Sequence, residues 1–424
     1  MTLTPSFGSR VVGFVRVLGP GLLMAGAAIG VSHLMQSTRA GAAFGFQLVG
    51  LVIAVNLAKY PFFEFGHRWA IARGTSLLDG YLAMGRGYLY LFLGLNVFTA
   101  VISIAGVTFV TAALAQIVFG LGLGAAAWAA LLMALCIALL LVGHYRWLDR
   151  VMKVVMAVLF VTTVTALAAA VAHGGVAPEG FRSDSPWRLA HLGFLLALMG
   201  WMPAPIELSV WQSLWVGAKE SSDGRRMTWN EARLDFNFGY ALTTVLAVVF
   251  LSLGALVMHG SGETFATGNV AFAGQLVGLY AATLGPWVRP IVAAAALTAM
   301  FSTTLTVIDA YPRSLAVSQA LASGRRRLSA GALHALWMVG CSAAALVLIL
   351  AFVERFTALI DLATIIAFLT APVFAWLNLR LLTSDHTPEA HRPGPALRAL
   401  AWAGMLFFLG FGLVYVVGRL TTWA

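Results

Sequence analysis

The sequence predicts an all-α polytopic membrane protein with about eleven transmembrane helices, and three observations predict it. Of 424 residues, 60% are hydrophobic and only 10% charged, where a soluble chain carries about 25% charged residues. Mean hydropathy is +0.89, and the apolar residues come in runs of about twenty, the length with which a helix crosses about 30 Å of hydrocarbon. The basic residues gather in alternate connections, the positive-inside pattern. A transmembrane barrel would show alternating segments of about ten residues instead, and none is present.

In chain order the expected spans are 14–40, 43–66, 87–118, 124–143, 149–173, 190–216, 232–258, 288–320, 330–352, 357–382 and 397–418. The longest connections between them run from His173 to Leu189 and from His259 to Trp287. The second holds an apolar, glycine-rich stretch, Val270 to Leu284, too short for a span and expected as an interfacial helix. No soluble domain, low-complexity tract or short-period repeat interrupts the chain, so residues 1–424 form a single membrane domain.

Charge placement sets the orientation. Arg10, Arg16, Arg68, Arg73, Arg86, Arg146, Arg150, Lys153, Lys219, Arg225, Arg226, Arg233, Arg313, Arg325–327, Arg380, Arg392 and Arg398 all fall on the side of the N-terminus. The other face and the spans share Arg39, Lys59, Arg182, Arg188, Arg289, Arg355 and Arg419. This predicts a cytoplasmic N-terminus and an external C-terminus in a cell (inner) membrane. It also accounts for the net charge of +10 without any nucleic-acid partner. The low lysine share points to a GC-rich bacterial genome. Cys136 and Cys341 lie inside apolar spans and read as small buried hydrophobes, with no disulfide or metal spacing. The N-terminus shows no cleavage-site pattern, so no signal peptide is expected.

Two spans carry breaks. The first holds Gly26-Ala-Ala-Ile-Gly30-Val-Ser32-His33, and the sixth holds Met199-Gly-Trp-Met202-Pro203-Ala-Pro205-Ile-Glu207. Five spans separate their starts, which predicts a five-plus-five repeat (14–173 and 190–382) of inverted orientation, with 397–418 as an extra C-terminal helix. Paired Gly/Pro interruptions at matching positions are the sequence mark of a secondary transporter's binding site. Unwinding costs several kcal/mol per unsatisfied backbone group in hydrocarbon, so such breaks persist only where protein or a cavity meets those groups. Pro203 and Pro205 each remove a donor and favour a true break over a kink. Gly26 and Gly30 are weaker marks, because glycine also serves close packing.

Glu207 is a carboxylate deep in a span and hence a candidate proton carrier, the alternative being an ion pair with Lys59 or Arg39. His33 is a candidate for proton or soft-metal binding and equally for a structural hydrogen bond. Met202 offers a thioether, although methionine in an apolar helix usually packs. Asp309 and Arg313, four apart, suit a local ion pair. Glu64, Asp235 and Asp361, near span ends, are expected to cap or snorkel.

Gly19-Pro-Gly21, the stretch from Ile29 to His33 and Ala40-Gly-Ala-Ala-Phe-Gly45 together resemble the first span of Nramp-type divalent-metal transporters. Met202-Pro203 resembles that family's motif in the sixth span, and the likeness covers nearly the whole chain. The resemblance implies a LeuT-like fold and proton-coupled import of a metal ion held between the broken helices. It implies a site drawn from Gly30, Ser32, His33, Met199 and Met202, with metal contact through His33 and Met202 and proton coupling through Glu207 and His33. Both motifs are altered. Gly30 stands where the family has its ligand aspartate, His33 where it has asparagine, and Ala204 where it has histidine; no Asp or Glu occurs between Gly87 and Gly143.

A bare divalent charge in a low-dielectric site wants a compensating carboxylate, which Gly30 cannot supply. A small organic solute, its carboxylate cradled by the Gly30-Val-Ser32 backbone, is therefore the competing cargo. A non-transporting membrane sensor is disfavoured because the breaks persist despite their cost. Enzyme motifs (phosphate loop, nucleophile elbow, zinc-ligand pair) and channel filters are absent, so neither an enzyme nor a cofactor is expected.

Overall fold

The computed structural model describes residues 18–142, 145–324 and 328–421, and within helix 145–173 it leaves aside the side chains of 145–156 and 159. Every regular element among the described residues is helical. The main helices are α1 (Pro20–Ala28), α2 (Thr38–Phe44), α3 (Val49–Arg73), α4 (Leu77–Met84), α5 (Arg86–Phe119), α6 (Ala125–Val142) and α7 (Tyr145–His173). They continue with α8 (Leu192–Gly200), α9 (Leu208–Asp223), α10 (Trp229–Val257), α11 (Asn269–Leu284), α12 (Arg289–Ser323), α13 (Ala330–Ala351), α14 (Phe356–Thr383) and α15 (Pro395–Thr421).

Eight helical runs among the described residues are long and apolar enough to cross a bilayer. The difference from eleven expected spans has a physical cause at each place. The first span breaks after Ala28, and its outer part runs on into the second as Ser32–Arg73. The sixth is interrupted between Gly200 and Leu208, leaving two short halves. The fifth lies in α7, of which Phe160–His173 is the described apolar part. Gly45, at φ +60°, ends α2 in the left-handed region that suits glycine and turns the chain toward α3. Asn269–Leu284 is helical, as expected for 270–284, and buries Phe272, Leu276 and Tyr280 against the bundle.

Packing relies on small residues, as it must where lipid is as apolar as the protein. Helices α5 and α12 form the most extensive pair, at the centre. Helix α10 receives both halves of the first span backbone to backbone. A methyl added at Gly21 would overlap the Asp235 carbonyl, and one at Gly41 the Leu251 carbonyl. From the other side, methyls at Gly239 and Gly254 would overlap the carbonyls of Gly21 and Thr38. In the same way Gly200 lets the end of α8 lie directly on the Thr364 carbonyl of α14.

Candidate functional site

The two breaks meet in the middle of the bundle. In the first, α1 ends at Ala28, and a single π-helical turn, Ser32–Ser37, restarts the chain. The backbone recovers quickly, since Ile29 N–H donates to Ala25 O at 2.8 Å and Leu34 N–H to Gly30 O at 2.9 Å. The Ala28 carbonyl is met by side chains of the restarting turn. Ser32 Oγ lies 2.9 Å from it and His33 Nδ1 3.0 Å. His33 Nε2 lies 2.9 Å from Thr243 O of α10, and Nδ1 is 2.7 Å from Ser32 Oγ. With Nε2–H donating to Thr243 O, Nδ1 carries no proton and accepts from Ser32, whose one hydroxyl proton it shares with the Ala28 carbonyl; that carbonyl also accepts from Gly30 N–H at 2.9 Å.

In the sixth span the helix stops at Gly200, and Met202–Pro203 is a cis peptide bond. Tight turns then rebuild it: Leu208 N–H reaches Pro205 O at 3.1 Å and Ser209 N–H reaches Ile206 O at 3.0 Å. The carbonyls stranded by the break are met from outside the span. Lys59 Nζ, near the middle of α3 and fully buried, donates to Met199 O at 2.9 Å, Gly200 O at 2.6 Å and Ala204 O at 3.0 Å.

Between the breaks lies a small cavity with about 30 Å³ of free volume, enough for a water or a small ion. Its wall includes Ser32, Ser103 of α5, Trp201, Trp211 of α9, and Thr303 and Tyr311 of α12. Tyr311 donates to Glu207 Oε1 at 3.1 Å and sits 3.0 Å from Ser103 Oγ, which links the cavity wall to the buried carboxylate. Glu207 Oε2 and the indole N–H groups of Trp201 and Trp211 are buried with no hydrogen-bond partner among the described residues.

Of the residues expected at the site, Ser32 lines this cavity, while Gly30, His33, Met199, Met202 and Glu207 stand behind its wall. Gly30 is covered by Thr303, whose methyl and hydroxyl lie 3.0 and 3.1 Å from where a Cβ would be. The space that a carboxylate would need is thus held by a threonine. His33 is turned toward α10 with both ring nitrogens engaged, and Met202 is fully buried. Neither contributes a free donor to the cavity. Among the described residues, no three His, Cys, Asp or Glu side chains are grouped to hold a metal ion.

Several other charged residues in and near the spans are paired. Arg39 binds Asp361 at 2.7 Å, with Gln36 bridging both, so neither Arg39 nor Lys59 forms the ion pair considered for Glu207. Arg313 pairs with Asp309 at 2.6 Å, as their spacing predicts, and Arg68 pairs with Glu64. Asp235 caps rather than snorkels, since its two oxygens accept from Gly19 N–H at 2.8 Å and Gly21 N–H at 2.7 Å at the start of α1. The hydroxyl and aromatic wall from α5 and α12 was not expected from the sequence.

Two broken membrane helices facing each other across a buried central cavity define the LeuT-like class of membrane proteins, and solved structures agree. A variant of the Eremococcus coleocola manganese transporter superposes with TM-score 0.71 at 13% identity, covering 98% of this chain and 88% of that one. MhsT in complex with L-phenylalanine gives 0.62 at 14% identity, covering 95% and 97%. Mhp1, a nucleobase-cation-symport-1 family transporter, gives 0.56 at 16% identity, covering 95% and 89%. The family is shown by sequence: the Nramp (natural resistance-associated macrophage protein-like) model matches residues 21–418, so this chain belongs to the Nramp family. An uncharacterized protein of Pasteurella multocida (strain Pm70) is 40% identical over 402 residues, 94% of this chain and 91% of that protein.

Proposed function

We propose that this chain is a proton-coupled secondary transporter of the cell membrane that holds its cargo between the breaks of the first and sixth spans. The carrying observation is the cavity itself, walled by both breaks and by α5 and α12, because irregular backbone at membrane depth is retained where it lines a cavity. The halves of the repeat are 14–173 and 190–382, which places one break in the first helix of each. Kinship makes the cargo a divalent metal ion. Here the ion would be held by hydroxyls such as Ser32 and Thr303 and by retained water, since no carboxylate lines the wall. Protons reach Glu207 through Tyr311 and Ser103.

A second reading, a small organic solute with acceptor oxygens, is favoured by one observation. The wall is rich in donors, with two indole N–H groups that have no partner among the described residues beside four hydroxyl residues. Uptake into proteoliposomes across a pH gradient, with Mn²⁺, Mg²⁺ and a panel of amino and organic acids, decides between them. The metal reading expects Mn²⁺ or Mg²⁺ uptake that Ser32→Ala and Thr303→Val reduce at least tenfold. Organic uptake without any divalent-ion uptake at millimolar concentration overturns it. Glu207→Gln is expected to abolish pH-driven uptake while leaving solute binding, and unchanged coupling in that variant refutes the proton route.

A further inference from the structure

Lys59 is a buried charge that lines neither the cavity nor the hydrogen-bonded chain from Glu207 through Tyr311 to Ser103. An isolated ammonium in the middle of a span is costly and persists only with partners. Here its three N–H groups meet three carbonyl oxygens at 2.6–3.0 Å, so its donor capacity is fully used. Met199 and Gly200 end α8, where the helix presents partial negative charge, and Ala204 lies in the unwound segment that follows. One positive charge therefore ties the end of α8 to that segment. Carbonyl oxygens converging at the unwound, C-terminal end of a half-helix are the ligand set that monovalent cations take in place of water.

We propose that the carbonyls of Met199, Gly200 and Ala204 form a monovalent-cation cradle, which the chain fills with its own Lys59 ammonium. The cradle holds a tethered cation where a dissociable one would otherwise bind. This deepens the transport reading and rests on it for its functional meaning in two respects. The sixth-span carbonyls are withdrawn from the cargo, whose contacts then come from the side of Ser32, Ser103, Thr303 and Tyr311. Coupling needs neither Na⁺ nor K⁺, since the place for such an ion is already taken.

Thermal unfolding of the full chain in detergent tests the cradle without any transport measurement, so the two readings fail separately. Four solutions of equal ionic strength are compared: choline, sodium, potassium and ethylammonium chloride. Wild type is expected to show the same Tm, within about 1 °C, in all four. Lys59→Ala removes the charge and opens space. It is expected to lose about 5 °C or more in choline and to regain at least half of that in potassium or ethylammonium. Lys59→Gln places two N–H donors on a slightly shorter, uncharged side chain, and is expected to fold with a Tm below wild type in choline. A wild-type Tm that falls in choline overturns the proposal, as does a Lys59→Ala loss equal in every salt. If Lys59→Ala does not accumulate, Lys59→Gln and wild type decide: Lys59→Gln as stable as wild type shows that the cradle needs no cation.

Discussion

The two breaks solve one problem in opposite ways. The first is satisfied from within, since Gly30 N–H and the Ser32 hydroxyl of the same span reach back to the Ala28 carbonyl that the break exposes. The sixth is satisfied from without, by a lysine brought from α3, 140 residues or more away in sequence. A local repair leaves the first span's two halves held by neutral hydrogen bonds. The imported charge instead ties the sixth span to a helix of the other half of the chain. Breaks that look alike in sequence thus differ in what holds them and in what a substitution does to them.

The largest expected effect separates the breaks by their glycines. Gly200→Ala drives a methyl into the Thr364 backbone, which cannot rotate away, and should cost about 3 kcal/mol or more. Gly30→Ala meets only the Thr303 side chain and should cost about 1 kcal/mol. Denaturation midpoints of the two variants check this, and equal losses would erase the contrast. Next comes His33→Ala, which leaves the Thr243 carbonyl and a cavity unfilled, at about 2–4 kcal/mol. Ser32→Ala should cost only about 1 kcal/mol, because Gly30 N–H still donates to Ala28 O; a Ser32 effect exceeding that of His33 would reverse the account of the local repair.

The smallest effect is a control outside both breaks. Asp184, in the connection 174–188, is held below its ordinary value by hydrogen bonding from His191, by the Ser185 backbone N–H and by Arg188. A carboxylate so lowered adds stability that is present above its unfolded pKa and is lost as the pH falls through its folded value. Protection factors for amides in 174–188, taken relative to intrinsic exchange at each pH, should therefore fall below about pH 4 with those of the membrane helices unchanged. Asp184→Asn should remove that pH dependence.

The class of the fold was legible because a bilayer demands long apolar runs, and the breaks were legible because Gly/Pro interruptions recur at matching positions, with two prolines in three residues at the second, whereas the single Pro61, Pro312 and Pro372 leave their helices unbroken. The two broken spans do not register as single long helices because Ala28 ends one and the unwound segment 201–207 divides the other. The cavity wall was illegible. Helices α5 and α12 are apolar on nearly every side, so no periodicity marks the faces that carry Ser103, Thr303 and Tyr311. Lys59 stood out as a charge in a span, but its partners are backbone atoms, which leave no trace in residue identity. His33 showed the converse. Its motif position drew attention to a ligand role, while the ring's surroundings in α10 come from far along the chain.

One consequence concerns the glycines where α10 meets the first span. Over Gly21, Gly41, Gly239 and Gly254 the contact is main chain on main chain, without interlocking side chains. Each glycine is a notch into which a carbonyl of the facing helix fits, so a shift along α10 would bring a side chain to a place where no Cβ can stand. The pieces on either side of the Ala28 break are thus indexed to α10 at separate notches, and Asp235 adds an anchor at the Gly19–Gly21 end.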